Sequence, residues 1–197
     1  MEYTYLMHHG VKGQKWGIEN GPPYPINNSK PHTVFISGSS KTQFKDSGYY
    51  RGQLPKDVKS KIDSYISKGN KIVVGDAPGI DRQVQNYLKK KNYDNVEIYS
   101  PGIKVRYTAN KKWKSNLVDA PEFEPGSPEW LAKKDKIMNL VSNEGLAIIL
   151  DKGSQATRNN VKRFIEENKD VSVYELSQRG NKYDRWVEDV VKEILEA

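Results

Sequence analysis

Two aspartates five residues apart, Asp76 and Asp81, stand in the glycine-punctuated string Gly75-Asp76-Ala77-Pro78-Gly79-Ile80-Asp81, directly after the apolar run Lys71-Ile72-Val73-Val74. Carboxylates in such a setting can act as general acids or bases, hold ribose hydroxyls or cap helix amides. The glycines let backbone amides come close to a ligand, and the first turn of a following helix aims partial positive charge at a phosphate. Asp81 falls in that first turn, where it either caps amides or takes a hydroxyl, so Asp76 and Asp81 are the candidate catalytic acids. Asp135 and Asp151 are further acids, whereas Glu166 and Glu167 read as solvated helix surface.

Two other strings carry the same chemistry. Gly38-Ser39-Ser40 follows Thr33-Val34-Phe35-Ile36, and Gly153-Ser154-Gln155-Ala156-Thr157-Arg158-Asn159-Asn160 follows Leu146-Ala147-Ile148-Ile149-Leu150. The candidate ligand contacts are therefore Gly38, Ser39, Ser40, Gly75, Asp76, Ala77, Gly79, Asp81, Gly153, Ser154, Thr157 and Asn160. Any strand-to-helix turn uses Gly, Ser or Asp to turn and cap, so the weight rests on the conjunction of three such loops. A long connection at residues 100–125 adds Arg106, whose guanidinium can clamp phosphate in two-pronged fashion, with Tyr107, Asn110 and Trp113 nearby. The alternative is that these side chains tuck the loop onto the domain.

Short β-branched runs alternating with helical periodicity predict the elements that position these loops. Strands are expected at 33–36, 71–74, 96–99, 146–150 and 171–174. Helices are expected at 56–68, from 80 onward, at 127–142 with Ser127 as N-cap and Pro128 after it, at 156–168, and at 183–195. The expected fold is α/β: a Rossmann-like three-layer domain over residues 32–197 with a mainly parallel sheet of about five strands. In such sheets ligands bind beyond the carboxyl ends of the strands. Residues 1–31 lack this periodicity and read as a motif segment and linker.

Composition narrows the function classes. The 197 residues contain no cysteine, which removes disulfides, thiolate metal sites and cysteine nucleophiles. No apolar run approaches the roughly 20 residues of a membrane span, so no membrane partner and a cytoplasmic location are expected. The formal charge of +7 is spread over Lys89-Lys90-Lys91, residues 104–114 and Lys133-Lys134. Solvated lysines explain such a distribution, so nucleic acid is not an expected partner. No cofactor and no metal site are expected.

The strings at 72–81 and 153–160 resemble the SLOG superfamily of Rossmann-like proteins, which includes LOG phosphoribohydrolases, the DNA-processing protein DprA and ligand-sensing domains of bacterial defence systems. The first string is similar to the strand and G-x-A-x-G-x-D loop of the YspA-like branch. The second is similar to a degenerate form of the superfamily's second phosphate loop. The resemblance spans roughly residues 33–174 and implies a nucleotide-type ligand, NAD-like, ADP-ribose-like or a cyclic nucleotide, and a homo-oligomer. Where the hydrolases place a carboxylate after the second loop, this chain has Asn160, and an amide is neither nucleophile nor general base. Ligand capture is thus expected over catalysis, with an N-glycosidic or phosphate-bond hydrolase and a DprA-like DNA-binding protein as alternatives.

At the N-terminus, Leu6-Met7-His8-His9-Gly10-Val11-Lys12-Gly13-Gln14-Lys15-Trp16-Gly17-Ile18 resembles a short motif of phage and prophage proteins. It implies a docking or packaging peptide for a phage structural partner and a protein of the host cytoplasm or virion, in a role such as sequestering a defence signal. His8 and His9 alone do not make a metal site, because adjacent side chains on an extended chain point apart.

Overall fold

The computed structural model describes residues 32–40, 53–150, 153–177 and 181–195. The motif at residues 6–18 lies outside the described residues, as does Asp151.

Apart from β4, the chain alternates as the apolar periodicity predicts: β1 (Thr33–Gly38), α1 (Lys56–Ser67), β2 (Lys71–Gly75), α2 (Ile80–Lys90), β3 (Val96–Pro101), β4 (Lys114–Val118), α3 (Pro128–Leu140), β5 (Glu144–Leu150), α4 (Gln155–Glu166) and β6 (Asp170–Leu176). A 3-10 turn (Asn181–Tyr183), the two-residue β7 (Arg185–Trp186) and α5 (Val190–Leu195) complete it. The strands form one sheet in the order β4-β3-β2-β1-β5-β6-β7. Every pairing is parallel except the β6–β7 edge. This is the Rossmann-like α/β architecture, with seven strands where about five were expected.

Period-two alternation sorts the side chains into two layers. Val34, Ile36, Ile72, Val74, Ile98, Leu146 and Ile148 form one core with Val58 and Ile62 of α1 and Val84 and Leu88 of α2. Phe35 and Val73 turn to the opposite face, where they meet Met138 of α3 and Phe164 of α4. Ala147, Ile149 and Val173 join Val161 of α4 and Ile194 of α5 on that same side. Gly145 is required where β5 passes beneath Phe164, whose ring lies 2.8 Å from where a Cβ would stand.

Both additional strands are edge strands with weak patterns. β4, Lys114-Ser115-Asn116-Leu117-Val118, falls inside the connection expected to be structureless. It pairs only with β3 and leaves most of its side chains in water, so it lacks the apolar run of a central strand, and its lysine is typical of a protected edge. The helix expected over 183–195 is shorter. Trp186 sets its ring edge-on to Tyr174 at 4.9 Å, and the Val187 amide donates to the Val173 carbonyl. These contacts hold residues 185–187 against β6, and α5 begins only at Val190. Among the described residues no helix is long and apolar enough to cross a membrane.

Candidate functional site

The order of strands reverses direction at β1, with β2 on one side and β5 on the other. The chain leaving β1 heads for α1 on one face, and the chain leaving β5 enters α4 on the other. In open α/β sheets a crevice forms at such a switch point. The three loops singled out from the sequence all lie at this carboxyl edge.

The first two loops are locked together. The Ser39 amide donates to the Ile148 carbonyl at the end of β5, and the Ser39 carbonyl accepts from the Ile80 amide, the first residue of α2 (3.1 and 3.0 Å). Gly79 caps α2 at φ +85° against the Ser39 and Ser40 carbonyls. Only glycine combines that backbone angle with so close an approach. Gly38 likewise leaves room for the Ile80 side chain. Gly38 and Gly79 therefore serve the packing of the β1 loop against α2, and the Ile80 amide is committed to a protein carbonyl.

Asp76 is fully buried and takes one end of the long connection. Its carboxylate accepts from the Arg106 amide (2.9 Å), from Arg106 Nε (3.0 Å) and Nη2, and from the Ser100 hydroxyl. Burial pushes this carboxyl upward, but the bonds from Arg106 and Ser100 outweigh it, so Asp76 is held below its usual pKa. Arg106 is thus bound to Asp76 in a charge-assisted pair. Trp113 is buried and donates from its indole to the Tyr93 carbonyl (3.0 Å), and Asn110 turns its side chain onto the Lys112 amide (3.0 Å). Of the two roles open to them in the sequence, the contacts seen here are those that tuck the loop onto the domain. Gln85, which sequence reasoning missed, completes the staple: its amide donates to the Gly75 carbonyl (2.8 Å) and accepts from the Ala109 amide (2.9 Å). A buried polar residue facing inward from a helix was the available signal.

Asp81 meets different surroundings. Its carboxylate accepts from the Ala77 amide at 3.2 Å, which is the capping role, and lies with the Lys134 ammonium over the face of Gly75, where a Cβ would stand within 3.0 Å of Lys134 Nζ. Lys134 is paired with its neighbour Asp135, and all three side chains are buried. Burial drives Asp81 up to about 7, because Lys134 compensates it only in part and Asp135 adds like charge. Burial pulls Lys134 the other way, but Asp135 and Asp81 together hold it above the usual lysine value, so it stays charged. The Lys134 ammonium makes its ion pair with Asp135 and acts on Asp81 by longer-range attraction only.

Asn160 of α4 joins this cluster, donating weakly to Asp135 (3.4 Å) and accepting from Arg163 at 2.5 Å. A carboxylate from α3 thus stands beside the amide that occupies the position after the third loop. Thr157 is buried one turn earlier. Ser154, in the left-handed region at φ 63°, accepts from the Leu150 amide (3.0 Å), and the Gly153 carbonyl accepts from Arg158 (2.9 Å), so both shape the turn into α4. Lys134 was seen in the sequence only as part of a basic pair. Its neighbours Lys133 and Lys136 are more exposed, and the helical position that turns Lys134 inward carries no mark of its own.

Among the described residues no group of three or more His, Cys, Asp or Glu could hold a metal ion. No protein-family model, curated protein or solved structure matches the chain.

Proposed function

We propose that the protein captures a nucleotide-derived ligand at the carboxyl edge of β1, β2 and β5. The observation that carries this reading is the buried Asp81–Lys134–Asp135 cluster beside the switch point. Buried ions are costly unless paired, and a buried Lys134–Asp135 pair with a second buried carboxyl, Asp81, left without an ion-pair partner at a strand-end crevice marks a candidate ligand site. An ammonium there suits a phosphate oxygen, and the carboxylates suit ribose hydroxyls. The resemblance of the 72–81 and 153–160 strings to SLOG proteins points to the same ligand class, and the phage-like N-terminal motif suggests sequestration of an ADP-ribose-type or cyclic-nucleotide defence signal.

A second reading, cleavage of an N-glycosidic or phosphate bond, is favoured by Asp81 itself. A carboxyl poised near 7 has the protonation balance of a general acid or base. Asp76 has no such freedom.

Incubation with NAD, ADP-ribose, AMP and cyclic dinucleotides, followed by thermal melting and recovery of the small molecules, tests both. Capture predicts that at least one raises Tm, by about 2.7 kcal/mol of added stability at a hundredfold excess over Kd, and is recovered intact. Recovery of a product establishes the hydrolase reading instead. If none of these ligands moves Tm in the wild type, the site reading fails.

A further inference from the structure

The charge of the chain is more localised than its segments suggest. Residues 82–114 hold nine Lys and Arg against two acids, a net +7, and the remaining 164 residues carry 23 of each sign. The whole excess therefore lies in one sixth of the sequence, which comprises α2, β3 and the connection into β4.

The fold lays these pieces side by side. The connection leaves the carboxyl edge at the Arg106–Asp76 pair, then runs along the flank of α2. The Tyr107 hydroxyl donates to Asn86 (2.6 Å), the Ala109 amide donates to Gln85, and Trp113 closes on Tyr93 just past the helix end. The Arg82 guanidinium sits over the Tyr107 ring at 4.4 Å. Lys111 and Lys112 are thereby brought toward the end of α2 that carries Lys89 and Lys90. Three cations of the segment are held by acids: Lys91 by Asp63, Arg106 by Asp76 and Lys114 by Glu97. Arg82, Lys89, Lys90, Lys104, Lys111 and Lys112 are all exposed, and among the described residues no ion pair engages any of them.

We infer that this flank of α2 and the β3–β4 connection is a binding surface for the phosphate backbone of a nucleic-acid strand. Six exposed cations that no acid engages, spread over α2 and a connection held to it by the Gln85 and Tyr107 contacts, match a polymer of regularly spaced phosphates by charge complementarity. Contacts from such lysines and arginines to phosphate carry no base selection. The surface is separate from the Asp81–Lys134–Asp135 cluster and does not depend on the nucleotide-capture reading.

Fluorescence anisotropy of the full chain with a labelled single strand of about 25 nucleotides of mixed sequence tests it. Binding is expected at about 50 mM salt and should weaken by roughly 50- to 300-fold at about 200 mM, the loss for four to six phosphate contacts. The double reversals K89E/K90E and K111E/K112E should each weaken binding by roughly tenfold or more, with the neutral pair K111Q/K112Q intermediate. The pair K56E/K136E changes net charge equally but lies on α1 and α3, and should lose less than about twofold because its cations make no phosphate contact. The inference is overturned if no salt-sensitive binding occurs, if K56E/K136E loses as much as the flank variants, or if anionic phosphatidylserine vesicles bind the flank while the oligonucleotide does not.

Discussion

Asp76 and Asp81 lie within six residues of each other at the end of one strand, yet their surroundings have opposite character. Asp76 receives four donors, including both a guanidinium and a backbone amide, and its negative charge is fully answered. Asp81 receives one backbone amide and only the longer-range attraction of an ammonium whose ion pair is with Asp135. The first arrangement stiffens a loop. The second leaves a buried acid whose protonation is nearly balanced, a state that folding alone does not favour. Two identical side chains thus divide the strand end into a structural half and a half with spare chemistry.

The largest way to break the contrast is Asp76→Ala. It strips the partner from Arg106 and Ser100 and frees the start of the β3–β4 connection. A loss of about 2 to 3 kcal/mol is expected, the scale of hydrogen bonds to a charged group, because the Arg106 left behind is exposed and is taken up by water. Chemical denaturation would read the loss, and hydrogen exchange should accelerate first at residues 102–110. A loss below about 1 kcal/mol would mean that the pair behaves as an exposed salt bridge and that Asp76 is not the anchor.

The sequence displayed one half of this division far better than the other. The central strands and the helices over them follow directly from period-two and helical spacing, since each buries a continuous apolar face such as Val34 and Ile36 or Val84 and Leu88. The strand-end loops were visible through Gly38, Gly75 and Gly79, whose missing side chains make room for Ile80, for Asp81 with Lys134, and for the Ser39 and Ser40 carbonyls. What the spacing concealed were partners distant in sequence. Lys134 comes to Asp81 across 53 residues, and Gln85 reaches both Gly75 and Ala109. Edge strands were concealed for a different reason: β4 buries little, so its composition is that of a loop. The basic flank was half visible, since the excess charge of residues 82–114 is contiguous in the sequence, but only the fold shows which of its cations are taken by acids.

Asp81→Asn sharpens the comparison through pH. Its folded pKa, about 7, lies above the unfolded value of roughly 3.9. The native state therefore holds a proton that the unfolded chain releases between about pH 4 and 7, and wild-type stability declines across that window and levels off above it. The asparagine variant lacks this slope. The two proteins should be equally stable near pH 4, and the variant should be the more stable by about 1 to 3 kcal/mol above pH 8. Parallel stability curves from pH 4 to 9 would place Asp81 among ordinary exposed carboxyls.

The smallest effect is expected at Tyr107→Phe, on the structural side of the division. The change removes the hydroxyl bond to Asn86 but keeps the ring beneath Arg82. Because both partners remain accessible to water, the exchange of one protein bond for solvent should lower stability by only about 0.5 kcal/mol. The thermal midpoint should move by a few degrees at most, on the order of the shift that such a change produces in a domain of this size. Tyr107→Ala, by contrast, also removes the surface on which the guanidinium rests, and cation–ring contacts of this exposed kind contribute about 0.5 to 1 kcal/mol. If the phenylalanine variant loses as much as the alanine variant, the hydroxyl rather than the ring holds the connection to α2. The staple would then extend from Asp76 and Gln85 along the helix to Asn86, and the loop would be fixed by hydrogen bonds throughout.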